Sequence, residues 1–252
     1  MTAGAADERW LRCFAPRPAA SLRLVCFPHG GGSALAYRRW PACLPVDVEL
    51  LVIQYPGRME RAAEPPIDAM EPMVDAIADV LLRRLDGPYA LFGHSMGAAI
   101  AFETALRLER DGARGPEHLF VSGRKGPSQH RQTTRHLAPA GELFAYLEYL
   151  GTHTALLERP DLQPLVLPLL RSDFKLSETW RPPRDARVRC SLTAFAGDRD
   201  PEARPDAVAA WSEATCGEAE LRVFAGQHFF LDEHEPAVVE HLASRLLDGT
   251  RS

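Results

Sequence analysis

The sequence predicts an α/β fold, a mostly parallel sheet wound with helices on both faces. Short apolar runs alternate with longer stretches of helical period, and turns rich in Gly and Pro end the runs. A length of 252 residues suits one doubly wound unit, and one domain over residues 1–252 is expected.

Leu22–Phe27 is the first strand candidate, ending at Pro28 and a glycine cluster. Val48–Ile53 is the second, stopped by the Pro56-Gly57 turn. Tyr89–Phe92 and Leu119–Ser122 follow, and Cys190–Ala196 and Leu221–Phe224 come much later. Between them Asp68–Leu85, Met96–Arg110, Asp206–Ala214 and Pro236–Leu247 space their apolar residues by three and four, with Pro72 in the first turn of the first. The alternation stops between Gly126 and Pro183. Gly141–Leu150 and Leu162–Leu170 are helical there, and no strand is evident. Such an interruption is too long for a loop. It is read as a helical lid, about residues 126–185, over the strand ends where ligands bind in open α/β sheets, with Arg181–Pro183 as the hinge back into the core.

Composition narrows the function classes. A net charge of −5, from 29 Lys and Arg against 34 Asp and Glu, argues against nucleic acid as a partner. The 5 cysteines form no CxxC pair, which predicts a reduced, cytoplasmic protein. The first residues have no signal-peptide pattern and no long apolar run follows, so neither secretion nor membrane insertion is expected.

Gly93-His94-Ser95-Met96-Gly97 matches G-x-S-x-G, between the apolar run Tyr89–Phe92 and the helical stretch Ala98–Leu108. A serine on a sharp strand-to-helix turn exposes its hydroxyl, and the glycines let neighbouring backbone pass closely. Ser95 is therefore the candidate nucleophile. Serine needs a base at neutral pH. Of the nine histidines, His228, in Gly226-Gln227-His228-Phe229-Phe230 after the last strand, has the chain order such a base requires. A carboxylate must orient that imidazole. Asp198 and Asp200 both lie after the strand Cys190–Ala196. Either can serve on local grounds, with Asp198 the better turn former and Asp200 farther out along the loop. Two amide donors are needed for an oxyanion. Met96 N–H directly follows the nucleophile, and Gly30 N–H in Phe27-Pro28-His29-Gly30-Gly31-Gly32 is the second candidate.

The ordered set of motifs resembles the stand-alone type II thioesterases of polyketide synthase and nonribosomal peptide synthetase systems. It comprises the stretch Phe27–Gly32 with Tyr37 and Trp40, Gln54-Tyr55-Pro56-Gly57-Arg58 with Glu60, Gly93–Gly97, Val121-Ser122-Gly123-Arg124, Leu167–Phe174, Gly197–Asp200 with Trp211, and Gly226–Leu231. The resemblance implies an α/β-hydrolase fold with a lid and a triad of Ser95, Asp200 and His228, which favours Asp200 over Asp198. It also implies hydrolysis of acyl groups from the phosphopantetheine arm of acyl or peptidyl carrier proteins. No metal or resident cofactor is implied, and nothing demands more than a monomer. This sequence has Gly30 where the family has alanine, and Leu150-Gly151-Thr152-His153 lacks one glycine of a family pattern. Arg58 with Arg61, and Arg181 with Arg184, Arg187 and Arg189, are candidates for guiding an acidic carrier protein, or else are solvated surface arginines. Competing functions are a small-ester esterase, an acyltransferase or cyclase using the same acyl-enzyme, and a catalytically silent binding protein.

Overall fold

The apolar runs become the strands of one seven-stranded sheet in the computed structural model, which describes residues 9–151, 159, 161–182 and 185–248. The strands are β1 (Leu11–Arg12), β2 (Leu22–Phe27), β3 (Val48–Ile53), β4 (Tyr89–His94), β5 (His118–Ser122), β6 (Ser191–Gly197) and β7 (Ala219–Phe224). Their order is β1-β3-β2-β4-β5-β6-β7. All neighbours are parallel except the antiparallel edge pair β1–β3.

A strand turns successive side chains to opposite faces. In β2, Val25 and Phe27 enter one core while Leu24 and Cys26 enter the other. The first core is closed by α1 (Met70–Arg84) and α2 (Met96–Arg110) through Met73, Ile77, Leu81, Ile100 and Phe102. The second is closed by α6 (Phe230–Asp248) and by 3-10 turns carrying Tyr37 and Trp40. Both faces are covered, so apolar residues on both sides of each central strand are buried. In α2, Ala98, Ala99, Ala101 and Ala105 are fully buried, and their small size lets the helix lie close to the sheet.

The register sets the site. Phe27 pairs with Gly93, His94 with Ser122, Ser122 with Phe195, and Gly197 with Phe224, so the loops after β2, β4, β6 and β7 leave one edge at one level. That edge is the carboxyl end of the parallel strands.

Outside the segment between β5 and β6, three elements depart from the sequence expectation. β1 spans two residues, too few for any periodic signal. The stretch Asp206–Ala214 divides into a short α5 (Pro205–Ala209) and a 3-10 segment (Ala210–Ala214). The helix expected from Pro236 begins at Phe230 and kinks at His234 (φ −115°, ψ 19°). Pro236 has no N–H to give and its ring crowds the preceding turn, which accounts for the kink.

Among the described residues between β5 and β6 lie helices, turns and one isolated bridge, Val188 to Thr215, but no strand. Two helices dominate, α3 (Ala140–Tyr149) and α4 (Gln163–Thr179), the second running well past the expected Leu170. Leu143, Leu147 and Leu170 make a small core of their own, flanked by Phe144, Val166, Leu167 and Phe174. Glu178 at the end of α4 accepts hydrogen bonds from Arg135 N (3.0 Å), His136 N (2.9 Å) and Thr133 Oγ1 (2.7 Å). Trp180 follows it, donating Nε1–H to Glu103 Oε1 of α2 at 2.7 Å, with the Arg124 guanidinium 4.8 Å above its ring. Of the expected hinge, Pro183 lies outside the described residues, as do Thr152, His153 and Arg184.

The tightest constraint in the fold is at the start of α2. A Cβ on Gly97 would stand 2.0 Å from the Phe27 carbonyl oxygen, and one on Gly93 would stand 2.2 Å from the Gly97 oxygen. Backbone packs there where a side chain would go. Gly97→Ala should therefore destabilise the protein by at least about 3 kcal/mol, the upper end of overpacking costs. The midpoint of chemical denaturation checks this, and a wild-type midpoint would contradict the close approach.

Candidate active site

Ser95 sits between β4 and α2 with φ 55° and ψ −115°, a conformation rare for a residue with a side chain. Its N–H donates to Ser122 O at 2.7 Å, which anchors the turn to β5. The neighbouring glycines admit that turn because nothing else fits between β2 and α2.

The structure brings the sequence-predicted residues together. His228 Nε2 lies 2.9 Å from Ser95 Oγ, and His228 Nδ1 lies 2.8 Å from Asp200 Oδ2. Asp200 Oδ1 accepts the N–H groups of Glu202 (2.9 Å) and Ala203 (3.0 Å). His228 and Asp200 are buried while Ser95 remains partly accessible. Burial alone would push the Asp200 carboxyl up. The hydrogen bond and charge of His228, with the two backbone donors, outweigh it and hold the group below its ordinary value. An ionised Asp200 fixes the tautomer that presents Nε2 to the serine.

Asp198 instead bridges two loops. Its exposed side chain accepts Gly226 N–H at 2.8 Å, joining the loop after β6 to the loop that carries His228. Four of the other described histidines hydrogen-bond to other partners. His94 pairs with Ser122 Oγ (3.0 Å), His118 with Thr193 Oγ1 (2.9 Å), His136 with Glu178 (2.6 Å) and His234 with Ala225 O (2.7 Å). His29 and His94 lie close to His228, the His94 ring centroid 5.1 Å away. Burial, then the charge of His228, drives the His29 pKa down to about 4 and that of His94 well below its ordinary value. At neutral pH both are uncharged, leaving one imidazole placed to work as a base.

Gly30 and Met96 line the same cavity as Ser95 and His228, a space of about 100 Å³. Among the described residues neither of their N–H groups donates to another protein atom. The apolar wall comprises Leu147 and Leu150 from the insertion with Phe174 and Phe229. Arg124, Lys125, Arg135, Tyr146, Glu178 and Glu202 make the polar wall. Tyr146 donates to Glu202 Oε2 (2.9 Å) and Lys125 pairs with Glu202 (3.1 Å), so the loop of Asp200 is tied to α3 and to the segment after β5. These polar contacts carried no signal beyond Arg124 in its family stretch. Leu165 of α4 is 74% exposed and does not line the cavity.

The arginine patch expected at Arg58 and Arg61 is not on the surface. Both side chains are 4% exposed. Arg58 forms a bidentate pair with Asp173, and Arg61 pairs with Glu64, donates to Gln54 O (2.7 Å) and stacks on Trp10. The loop folds its cations inward because carboxylates and carbonyls wait there. Arg181, Arg187 and Arg189 are exposed.

A family model described as the thioesterase domain matches residues 22–246. The probable cadicidin biosynthesis thioesterase of Streptomyces griseus is 41% identical over 97% of this chain and 68% of its own length. Thioesterase PikA5 of Streptomyces venezuelae is 40% identical over 94% of this chain and 85% of its own. Among solved structures, the type II thioesterase BorB from the borrelidin biosynthetic cluster superposes with a TM-score of 0.86 at 39% identity, covering 94% of this chain and 97% of that one. The chain belongs to the thioesterase domain family, among its type II members, and has their α/β-hydrolase fold.

Proposed function

We propose that this protein hydrolyses acyl thioesters carried on the phosphopantetheine arm of carrier proteins, in the service of polyketide or nonribosomal peptide biosynthesis. The observation that carries the reading is the continuous hydrogen-bonded chain Ser95–His228–Asp200 opening into a cavity beside two unengaged amides. The names of the relatives support the biosynthetic setting.

His228 Nε2 takes the Ser95 hydroxyl proton as Oγ attacks the thioester carbonyl carbon. The resulting oxyanion lies between the N–H groups of Gly30 and Met96. Collapse breaks the C–S bond, and the imidazolium returns its proton to the departing pantetheine thiolate. A water then gives a proton to His228 and attacks the acyl-serine. A second collapse breaks the acyl–Oγ bond, the imidazolium returns its proton to Oγ, and the carboxylic acid leaves with Ser95 restored. Only this chain's residues and water take part, and phosphopantetheine arrives as part of the substrate. The segment 126–185 acts as the lid over this cavity. We also infer a monomer in a reducing, cytoplasmic setting. The free state of all 5 cysteines supports that setting, and among the described residues no helix is long and apolar enough to cross a membrane.

Ser95→Ala should lower turnover of an acyl-loaded carrier protein by at least about 10⁴-fold with an unchanged melting temperature. Near-normal hydrolysis by that variant would end the proposal. Gly30→Ala should stay within about twofold of wild type. A Cβ there meets nothing nearer than 3.6 Å, and the donor is backbone.

Acid should destabilise the fold before it protonates Asp200. His29, His118 and His130 each have a pKa lowered to about 4, chiefly by burial. Their unfolded forms bind protons from about pH 6.5 downward while the native forms do not. Stability is therefore full above that pH and falls as pH drops toward 4. Thermal melts across this range check it, and a flat profile would contradict it.

A further inference from the structure

Arg58 and Asp173 form the most deeply buried arginine–carboxylate pair among the described residues, with side chains 4% and 0% exposed. Asp173 Oδ1 accepts Arg58 Nη2 at 2.7 Å, and Oδ2 accepts Arg58 Nη1 at 2.8 Å. Both partners also hold the glycine loop after β2. Asp173 Oδ2 accepts Gly31 N–H at 2.7 Å, and Arg58 Nη1 donates to Gly32 O at 2.8 Å. A buried ion pair is weak evidence for stability, because desolvating two charges offsets much of their attraction. Its worth here lies in what it holds.

Three successive glycines have more backbone freedom than any other tripeptide, yet an amide donor helps catalysis only if it is already aimed. Gly30 has no side chain to fix it. The peptide groups that follow it are pinned by Asp173 and Arg58, and α4 presses on the loop from outside. A Cβ on Gly31 (φ +75°) would lie 2.8 Å from Leu170 Cδ2, and one on Gly30 would lie 3.6 Å from Asp173 Cβ. We propose that Asp173, with Arg58, is a positioning residue that aims the Gly30 N–H at the developing oxyanion. The α4 half of the insertion is then a fixed part of the catalytic apparatus rather than a removable cover. This rests on the reading of Ser95, Gly30 and Met96 given above.

Simple electrostatics predicts the opposite effect of removing the charge. Asp173 lines the cavity. Neutralising it while Arg58 stays charged makes the surroundings more favourable to an oxyanion, so a purely electrostatic role predicts an equal or faster rate for Asp173→Asn. Positioning predicts a slower one.

The test compares Asp173→Asn and the double variant Arg58→Met/Asp173→Leu with wild type and Ser95→Ala. The double variant removes both buried charges together, which protects folding. Turnover of a short-chain acyl thioester of N-acetylcysteamine is measured with inhibition by a trifluoromethyl ketone analogue, whose adduct carries an oxyanion, and with thermal melting. Both Asp173 variants should lose about 10- to 100-fold in kcat, with KM within about twofold, and inhibitor affinity should weaken by the same factor. A kcat per folded molecule that is unchanged or raised, or a rise in KM with kcat kept, overturns the proposal. Turnover by Ser95→Ala would instead overturn the reading on which it rests, whatever the Asp173 variants do.

Discussion

Backbone-on-backbone contact between the end of β2 and the start of α2 governs the geometry of everything above it. Phe27 O occupies the space a side chain on Gly97 would need, and the Gly97 carbonyl occupies that of Gly93. The turn between the two glycines has no slack, so Ser95 is held in its strained conformation by its surroundings rather than by its own preference. The same contact brings the loop after β2 beside the first residues of α2, so the amides of Gly30 and Met96 face one cavity. The Ser95 hydroxyl and the two free amides are thus brought together by one crossing of the chain.

The electrostatics follows from depth. Three imidazoles cluster where the strands end, and only the one with a buried carboxylate behind it is equipped to accept a proton. Burial keeps His29 and His94 neutral, which spares His228 two like charges nearby. Their rings serve as packing against Phe229 and Phe230. Of three histidines in one place, one is hydrogen-bonded between a serine and a carboxylate, and two are wall elements.

What was legible in the sequence depended on local chemistry. A strand, an elbow and a helix are local patterns, so Tyr89–Arg110 could be read directly. His228 and Asp200 could be proposed because chain order limits the candidates, although choosing Asp200 over Asp198 leaned on the family resemblance. In the structure Asp200 is buried against the His228 imidazole, whereas Asp198 bridges two loops at the surface. Arg58 and Arg61 were misread because an arginine two or five residues after a Pro-rich turn looks the same whether its partner is solvent or a distant carboxylate. Arg58 meets Asp173, more than a hundred residues away, and no local pattern reports such a pairing. β1 was missed because only its partner strand defines it.

The placement of Trp180 has a spectroscopic consequence. Three of the 4 tryptophans, Trp40, Trp180 and Trp211, are buried in the sheet cores, and Trp10 lies under Arg61. Trp180 stands at the seam where α4 meets α2, hydrogen-bonded to Glu103, with Arg124 over its ring and the His130 ring tilted against it. Its indole is therefore an intrinsic fluorophore located at the joint between insertion and core. Fluorescence from this ring can register displacement of that joint in the unlabelled protein.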